Sequence, residues 1–329
     1  MVDLTSSRRN EMHEKMISFV EILRGMDKAS STVDEYEKGL KLYSSWLESQ
    51  DLEPADVTTR ELQRYLGWLK AEKGYAPKTI RLKFVAVNQF HQDLASTGDG
   101  ETNPAEDVTV TDYAPKRTRK EESSKERRHW LSKEDVEKLV KNVPSPQVRN
   151  RLIVLFQYFT GLRRQEVCDV KISDLDREQR KAQVRGKNGK VHTAKWQPKL
   201  DGLLTAWLDM GHRDASPYAR ESDFLFVTES GPQLSGSHLN NIVKQAAENA
   251  GIQEVVYVNA GGSNQYKITS HTLRHSFAMH WLENGGSLEG LSKNLAHSSV
   301  TTTEIYGEIL EERASEEYEQ FAPDVNFSF

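Results

Sequence analysis

The run KRTRKEESSKERRHW, Lys116 to Trp130, has no apolar periodicity and reads as a linker. A chain divided there must bury two separate cores, and 329 residues are enough for both. On the N-terminal side every apolar pattern is helical. Tyr36, Leu40, Tyr43 and Leu47 step by four, three and four, and Ile80, Phe84, Val87, Phe90 and Leu94 do much the same. Leu62, Tyr65, Leu66 and Leu69 give another helix, opened by a capping box of Thr58 and Glu61. Met16, Phe19, Val20 and Leu23 mark a shorter first one. GYAP (Gly74 to Pro77) and STGDGETNP (Ser96 to Pro104) are breaks. A four-helix unit over 1–114 is predicted, with the linker at 115–130.

Beyond the linker the pattern is mixed. Ser132 caps a helix with Asp135 as partner, its stripe Val136, Leu139, Val140 and Val143; Pro144 and Pro146 stop it. Leu152 to Phe159 is apolar almost all round, hence buried, and Gly161 ends it. Arg163 then stands at a helix start, where free backbone N–H groups favour an anion, with Arg164 beside it as a competitor. Arg180 to Pro198 signals a hairpin around Asn188-Gly189, a pair favoured in type I′ turns, flanked by Lys187 and Lys190. Leu203 to Leu208 and His238 to Ala250 read as helices, and Val255 to Thr269, with Gly261-Gly262, as a small hairpin. In HTLRHSFAMHW, His271 and Arg274 share one face, directed away from the core, and Leu273, Phe277 and Trp281 form the buried stripe. His297 and Tyr306 follow, nine residues apart. The fold class is mainly α with a small β component.

Thr-Gly-Leu-Arg-x-x-Glu at Thr160 to Glu166, His-x-x-Arg at His271 to Arg274, and Leu-Ala-His followed nine residues later by Tyr306 resemble the three boxes of the tyrosine recombinase (phage integrase) family. Ala296 stands where that family usually has Gly, a change that restricts the turn before His297. The N-terminal unit, with its Gly-Tyr-Ala-x-x-Thr-Ile and Asn103-Pro104 signals, is similar to the family's helical, SAM-like core-binding domain, which clamps DNA. The resemblance implies an α+β catalytic domain over 131–314. It assigns Arg163, Lys187, His271, Arg274, His297 and Tyr306 as catalytic, Glu166 as structural support, and Lys190 as second choice for the lysine.

The implied chemistry suits these side chains. Attack on a phosphodiester adds negative charge to oxygens that already carry it, so preset cations are needed. Arg163 and Arg274 would grip the non-bridging oxygens with planar, permanently charged guanidiniums. Tyr306 would attack phosphorus, His271 would serve as base, His297 would hydrogen-bond an oxygen, and Lys187 would protonate the departing 5′-oxygen. The resulting 3′-phosphotyrosyl link stores the bond energy, so no metal, ATP or other cofactor is implied. The i, i+4 pair His271 and His275 has zinc-like spacing, but Arg274 between them and the lack of a glutamate base argue against a metal.

Net charge is 44 − 49 = −5, unevenly placed. Lys116 to Arg128 holds seven Lys/Arg and three Glu; Glu304 to Phe329 holds eight acidic residues against Arg313. The linker cations Lys116, Arg117, Arg119, Lys120, Arg127 and Arg128, with Lys78 and Arg81 of the helical unit, are the candidate phosphate contacts. The expected partner is double-stranded DNA with a specific recombination site, on which the protein would self-assemble, as a tetramer by the resemblance, with DNA-bending accessory proteins as further partners. The acidic and aromatic tail 315–329 would dock onto a neighbouring copy. No apolar run is long enough to span a membrane, the N-terminus lacks a secretory signal, and a single cysteine, Cys168, fits a reducing cytoplasm. An accessory DNA-binding protein without catalysis and a strand-swivelling topoisomerase share these features; covalent strand cleavage excludes the first, and dependence on a defined site excludes the second.

Overall fold

The computed structural model describes residues 12–26, 28, 30–116, 129–186, 189–258 and 262–296. The chain divides into two compact units near residue 125. The first contains α1 (Glu14–Gly25), α2 (Ser30–Ser49), α3 (Thr59–Ala71), α4 (Pro77–Thr97) and the one-turn α5 (Val110–Tyr113). The stripes read from the sequence are the faces buried here, with Tyr36 half-buried at the edge. The Thr58 N–H donates to Glu61 Oε2 at 2.9 Å, closing the expected capping box of α3. Pro77 opens α4, and Gly98, at φ +81°, closes it.

At the centre of this unit the Tyr43 hydroxyl and His91 Nε2 lie 2.8 Å apart, with His91 only 2% exposed. Burial lowers the His91 pKa to about 4. An unfolded histidine titrates near 6.5, so the folded unit binds the proton less well, and its stability is lost as pH falls from 6.5 towards 4. Going from pH 7 to pH 5 should cost about 2 kcal/mol. Calorimetry should show the transition of this unit falling by about 10 °C, and His91→Gln should flatten that dependence.

The second unit begins with α6 (Lys133–Lys141), whose N-cap Ser132 Oγ accepts the Asp135 N–H at 3.1 Å. Next come α7 (Gln147–Thr160) and the six-residue α8 (Arg164–Asp169). Strands β1 (Leu175–Asp176), β2 (Lys181–Arg185) and β3 (Val191–Lys195) form an antiparallel sheet in that order, with Val184 opposite His192 and Arg185 opposite Val191. α9 (Asp201–Leu208) and α10 (Gly236–Asn249) follow, then the two-stranded β4 (Val255–Val258) and β5 (Asn264–Tyr266), α11 (Ser270–Glu283) and α12 (Leu288–Asn294). Phe156 packs against Trp196 and Phe226 in the core.

Two expectations change. The β2–β3 connection is not a two-residue turn at Asn188-Gly189. The Gly186 N–H donates to Lys190 O at 2.8 Å and the Gly189 N–H to Gly186 O at 3.2 Å, which leaves three residues in the loop. Gly189 takes φ +72°, as the left-handed last residue of such loops requires. Nor does α11 bury a single stripe. Thr272, Leu273, Arg274, Ser276, Ala278, Met279 and His280 are all buried, while Phe277 and Trp281 are half-buried. It is a central helix, packed against α7, α10 and α12.

Candidate active site

α7 ends at Gly161, in the left-handed region at φ +64°, and two residues later Arg163 caps α8. Glu166, at the third position of α8, folds back: its Oε2 accepts the Arg163 N–H at 2.7 Å and its Oε1 accepts Arg163 Nη1 at 2.8 Å. The start of α8 therefore does not stand open to an external anion, as its position suggested; the Glu166 carboxylate already takes it. The same carboxylate lies 3.9 Å from Arg274 Nη1. Arg274 is not directed away from the core: it is 6% exposed, donating from Nη1 to Gly161 O at 2.6 Å and from Nη2 to Leu295 O at 2.9 Å. One buried carboxylate thus spaces two guanidiniums delivered by different helices, and the cluster remains positive by one charge. Removing the carboxylate would leave two partly buried cations uncompensated.

This geometry separates the neighbouring arginines. Arg163 meets Glu166, the carboxylate that also faces Arg274. Arg164 turns to the first turn of α10, where a Cβ on Gly236 would sit 2.9 Å from its Nε. His271, one turn before Arg274, is exposed. Partial desolvation and then the Arg164, Arg274 and Arg163 cations hold its pKa below the usual imidazole value. It is neutral at neutral pH, with a lone pair free to take a proton.

The hairpin reaches the same place. A Cβ on Gly186 would lie 3.5 Å from Glu166 Oε1 and 3.6 Å from His192 Nδ1. His192 was not singled out from the sequence. It sits on β3 two residues before the buried Ala194, so strand alternation placed it on the inward face. Both its ring nitrogens are buried without a hydrogen-bond partner among the described residues. Burial first, then the Arg163 and Arg274 cations, lower its pKa against an opposing pull from Glu166. Lys190 is exposed. Lys187, His297, Tyr306, the linker cations Arg117, Arg119, Lys120, Arg127 and Arg128, and the tail 315–329 lie outside the described residues. Lys78 and Lys116 are exposed, whereas Arg81 Nη1 donates to Ala114 O at 2.8 Å and Pro115 O at 2.7 Å and ties down the end of the helical unit. Ala296, where the motif usually has Gly, takes φ +46°, a conformation that costs an alanine about 1 kcal/mol.

The family model described as the phage integrase family matches residues 129–313, and that of the phage integrase N-terminal SAM-like domain matches residues 17–98. Tyrosine recombinase XerA of Pyrococcus furiosus is 31% identical over 320 residues, covering 95% of this chain and 94% of that protein. Among solved structures, XerH recombinase bound to palindromic difH substrate in a post-cleavage complex aligns with a TM-score of 0.67 at 20% identity, over 92% of this chain and 82% of that one. A lambda integrase (75-356) dimer bound to a COC′ core site aligns at 0.62 and 18% identity, over 90% and 94% of the two chains. These two likenesses are of fold.

Proposed function

The chain belongs to the phage integrase family, the tyrosine recombinases, and from that membership we propose the following reaction and division of roles. The protein cuts and rejoins double-stranded DNA at a specific recombination site. Arg163 and Arg274 bracket the scissile phosphate, held apart by Glu166. Tyr306 attacks phosphorus, His271 takes its proton, and His297 hydrogen-bonds a non-bridging oxygen. The bond to the 5′-oxygen breaks, Lys187 protonates that oxygen, and the 3′ end remains as a phosphotyrosyl ester. A 5′-hydroxyl from a partner strand reverses the step and releases the tyrosine. The helical unit 1–114 holds the DNA, and the linker cations of 115–130, led by Lys116, contact its phosphates. Copies assemble on DNA, the tail 315–329 docking between neighbours. No helix among the described residues is long and apolar enough to cross a membrane. The single cysteine, Cys168, supports work in a reducing cytoplasm.

The observation that carries this reading is the shared carboxylate: Glu166 at 2.8 Å from Arg163 and 3.9 Å from Arg274, within a net positive cluster beside a neutral His271. The test is covalent trapping. Nicked or gapped duplexes from candidate attachment regions are incubated with the protein, quenched in detergent, and the linked peptide mapped by mass spectrometry. A protease-sensitive DNA adduct on Tyr306 is expected. Specific binding without any adduct would make the protein an accessory DNA-binding factor, and an adduct on another tyrosine would overturn the choice of nucleophile.

A further inference from the structure

His192 has no part in the scheme above. Buried polar atoms are nearly always hydrogen-bonded, and both of its ring nitrogens are buried with no partner among the described residues. Its Nδ1 and Glu166 Oε1 flank the same point, 3.6 Å and 3.5 Å from where a Cβ on Gly186 would sit. Glu166 Oε1 is meanwhile engaged by Arg163 Nη1 at 2.8 Å. That bond keeps one prong of the Arg163 fork on the carboxylate and away from a phosphate.

We propose that His192 is a positioning residue that relieves Arg163: when a phosphate binds between the arginines, His192 gains a proton and takes over Glu166 Oε1, freeing Arg163 Nη1 for the phosphate. The inference rests on the reading of Arg163 and Arg274 as the phosphate clamp. The proton comes from solvent onto a His192 ring nitrogen and returns to solvent when DNA leaves; no bond between heavy atoms changes. Charge drives the exchange. In the free protein burial first, and then the Arg163 and Arg274 cations, outweigh the pull of Glu166 and disfavour a third cation. An arriving phosphate cancels one positive charge, and the pull of Glu166 on an imidazolium then prevails.

The charged groups that act on His192 come from α8 and its cap, as Glu166 and Arg163, and from α11, as Arg274. α7 and α12 also pack against β3. Arg149 of α7 is committed to Glu229 at 3.0 Å and its Arg151 to Gln147 at 3.0 Å. Glu289 and Lys293 of α12 pair with one another at 2.7 Å. Across the sheet His192 faces Val184, and neighbouring Arg185 is exposed.

The experiment measures protons taken up when the full-length protein binds the nicked duplex that gives the Tyr306 adduct, by titration calorimetry at one pH in buffers of different ionisation enthalpy. Wild type should take up about half a proton near pH 7, and His192→Gln distinctly less, although His271 is retained in both. A duplex with an uncharged methylphosphonate at the scissile position should abolish the same uptake with wild-type protein, which keeps the test independent of how the variant folds. Single-turnover cleavage by His192→Gln should fall about tenfold, as loss of an orienting partner does, and lose its decline towards high pH. Equal uptake by both proteins, or uptake unchanged on the methylphosphonate duplex, overturns the inference while the clamp stands. If no DNA yields the Tyr306 adduct, the clamp reading falls and takes the inference with it.

Discussion

Arg274→Lys should lower the single-turnover rate of strand cleavage by about 10²–10³-fold, while affinity for the same DNA changes only about threefold. The size follows from what Arg274 does with its planar head. Nη1 and Nη2 hold carbonyls of two different segments, Gly161 at the end of α7 and Leu295 just beyond α12, and Glu166 stands 3.9 Å from Nη1. A lysine ammonium can serve one such site, never both with the fixed geometry of a guanidinium. The cation would survive but its aim would not, and charge developing at phosphorus is stabilised only by donors already aimed at it. DNA affinity is spread over many phosphate contacts, which is why binding should barely move. The vacated carbonyl in a buried place should cost about 1–3 kcal/mol of stability, so rates must be compared below the variant's unfolding transition. A rate within fivefold of wild type would remove Arg274 from the clamp.

What the sequence made legible follows from how local each interaction is. The four helical stripes of the first unit repeat at the period of the element that buries them, so Leu40, Tyr65 and Phe90 could be placed in a core without knowing its shape. The Arg163 and Glu166 pairing is three residues long and doubles as a helix cap, so its motif carries its own geometry. Arg274 looked like an outward cation because its two acceptors lie 113 and 21 residues away, beyond any periodic signal. α11 misled for the same reason: a helix wrapped on most sides has no polar face from which to read its orientation. At the hairpin, Asn188-Gly189 suggested a two-residue turn, whereas the register of β2 on β3 fixes a three-residue loop. His192 was hidden by a strand whose alternation mixes Thr193, Ala194 and Lys195, too weak a pattern to mark an inward histidine.

The largest effect on stability is expected at Gly161, which the sequence offered only as a helix break. Gly161→Ala should destabilise the second unit by about 2–5 kcal/mol, combining about 1–2 for an L-residue in the left-handed region with about 1–3 for overpacking. Its φ is +64°, and the new Cβ would lie 2.5 Å from Phe277 Cδ1 and 2.8 Å from Leu295 Cδ2. Neither neighbour yields cheaply: Phe277 packs at a tilt against Trp281, 6.1 Å between ring centroids, and Leu295 is 1% exposed. The unit's melting temperature should fall by roughly 10 °C. Activity should fall further than stability accounts for, because the displaced parts are those that hold Arg274: the Gly161 carbonyl is its acceptor at 2.6 Å and the Leu295 carbonyl its acceptor at 2.9 Å. Gly161→Asn separates the two causes. Asparagine enters the left-handed region with less penalty but carries the same Cβ, so it should remain well below wild type. Recovery to wild-type melting would mean that conformation alone reserves this position for glycine. A persistent deficit, with cleavage lost below the transition, would show that the absent side chain is what lets α7, α11 and Leu295 close around one arginine.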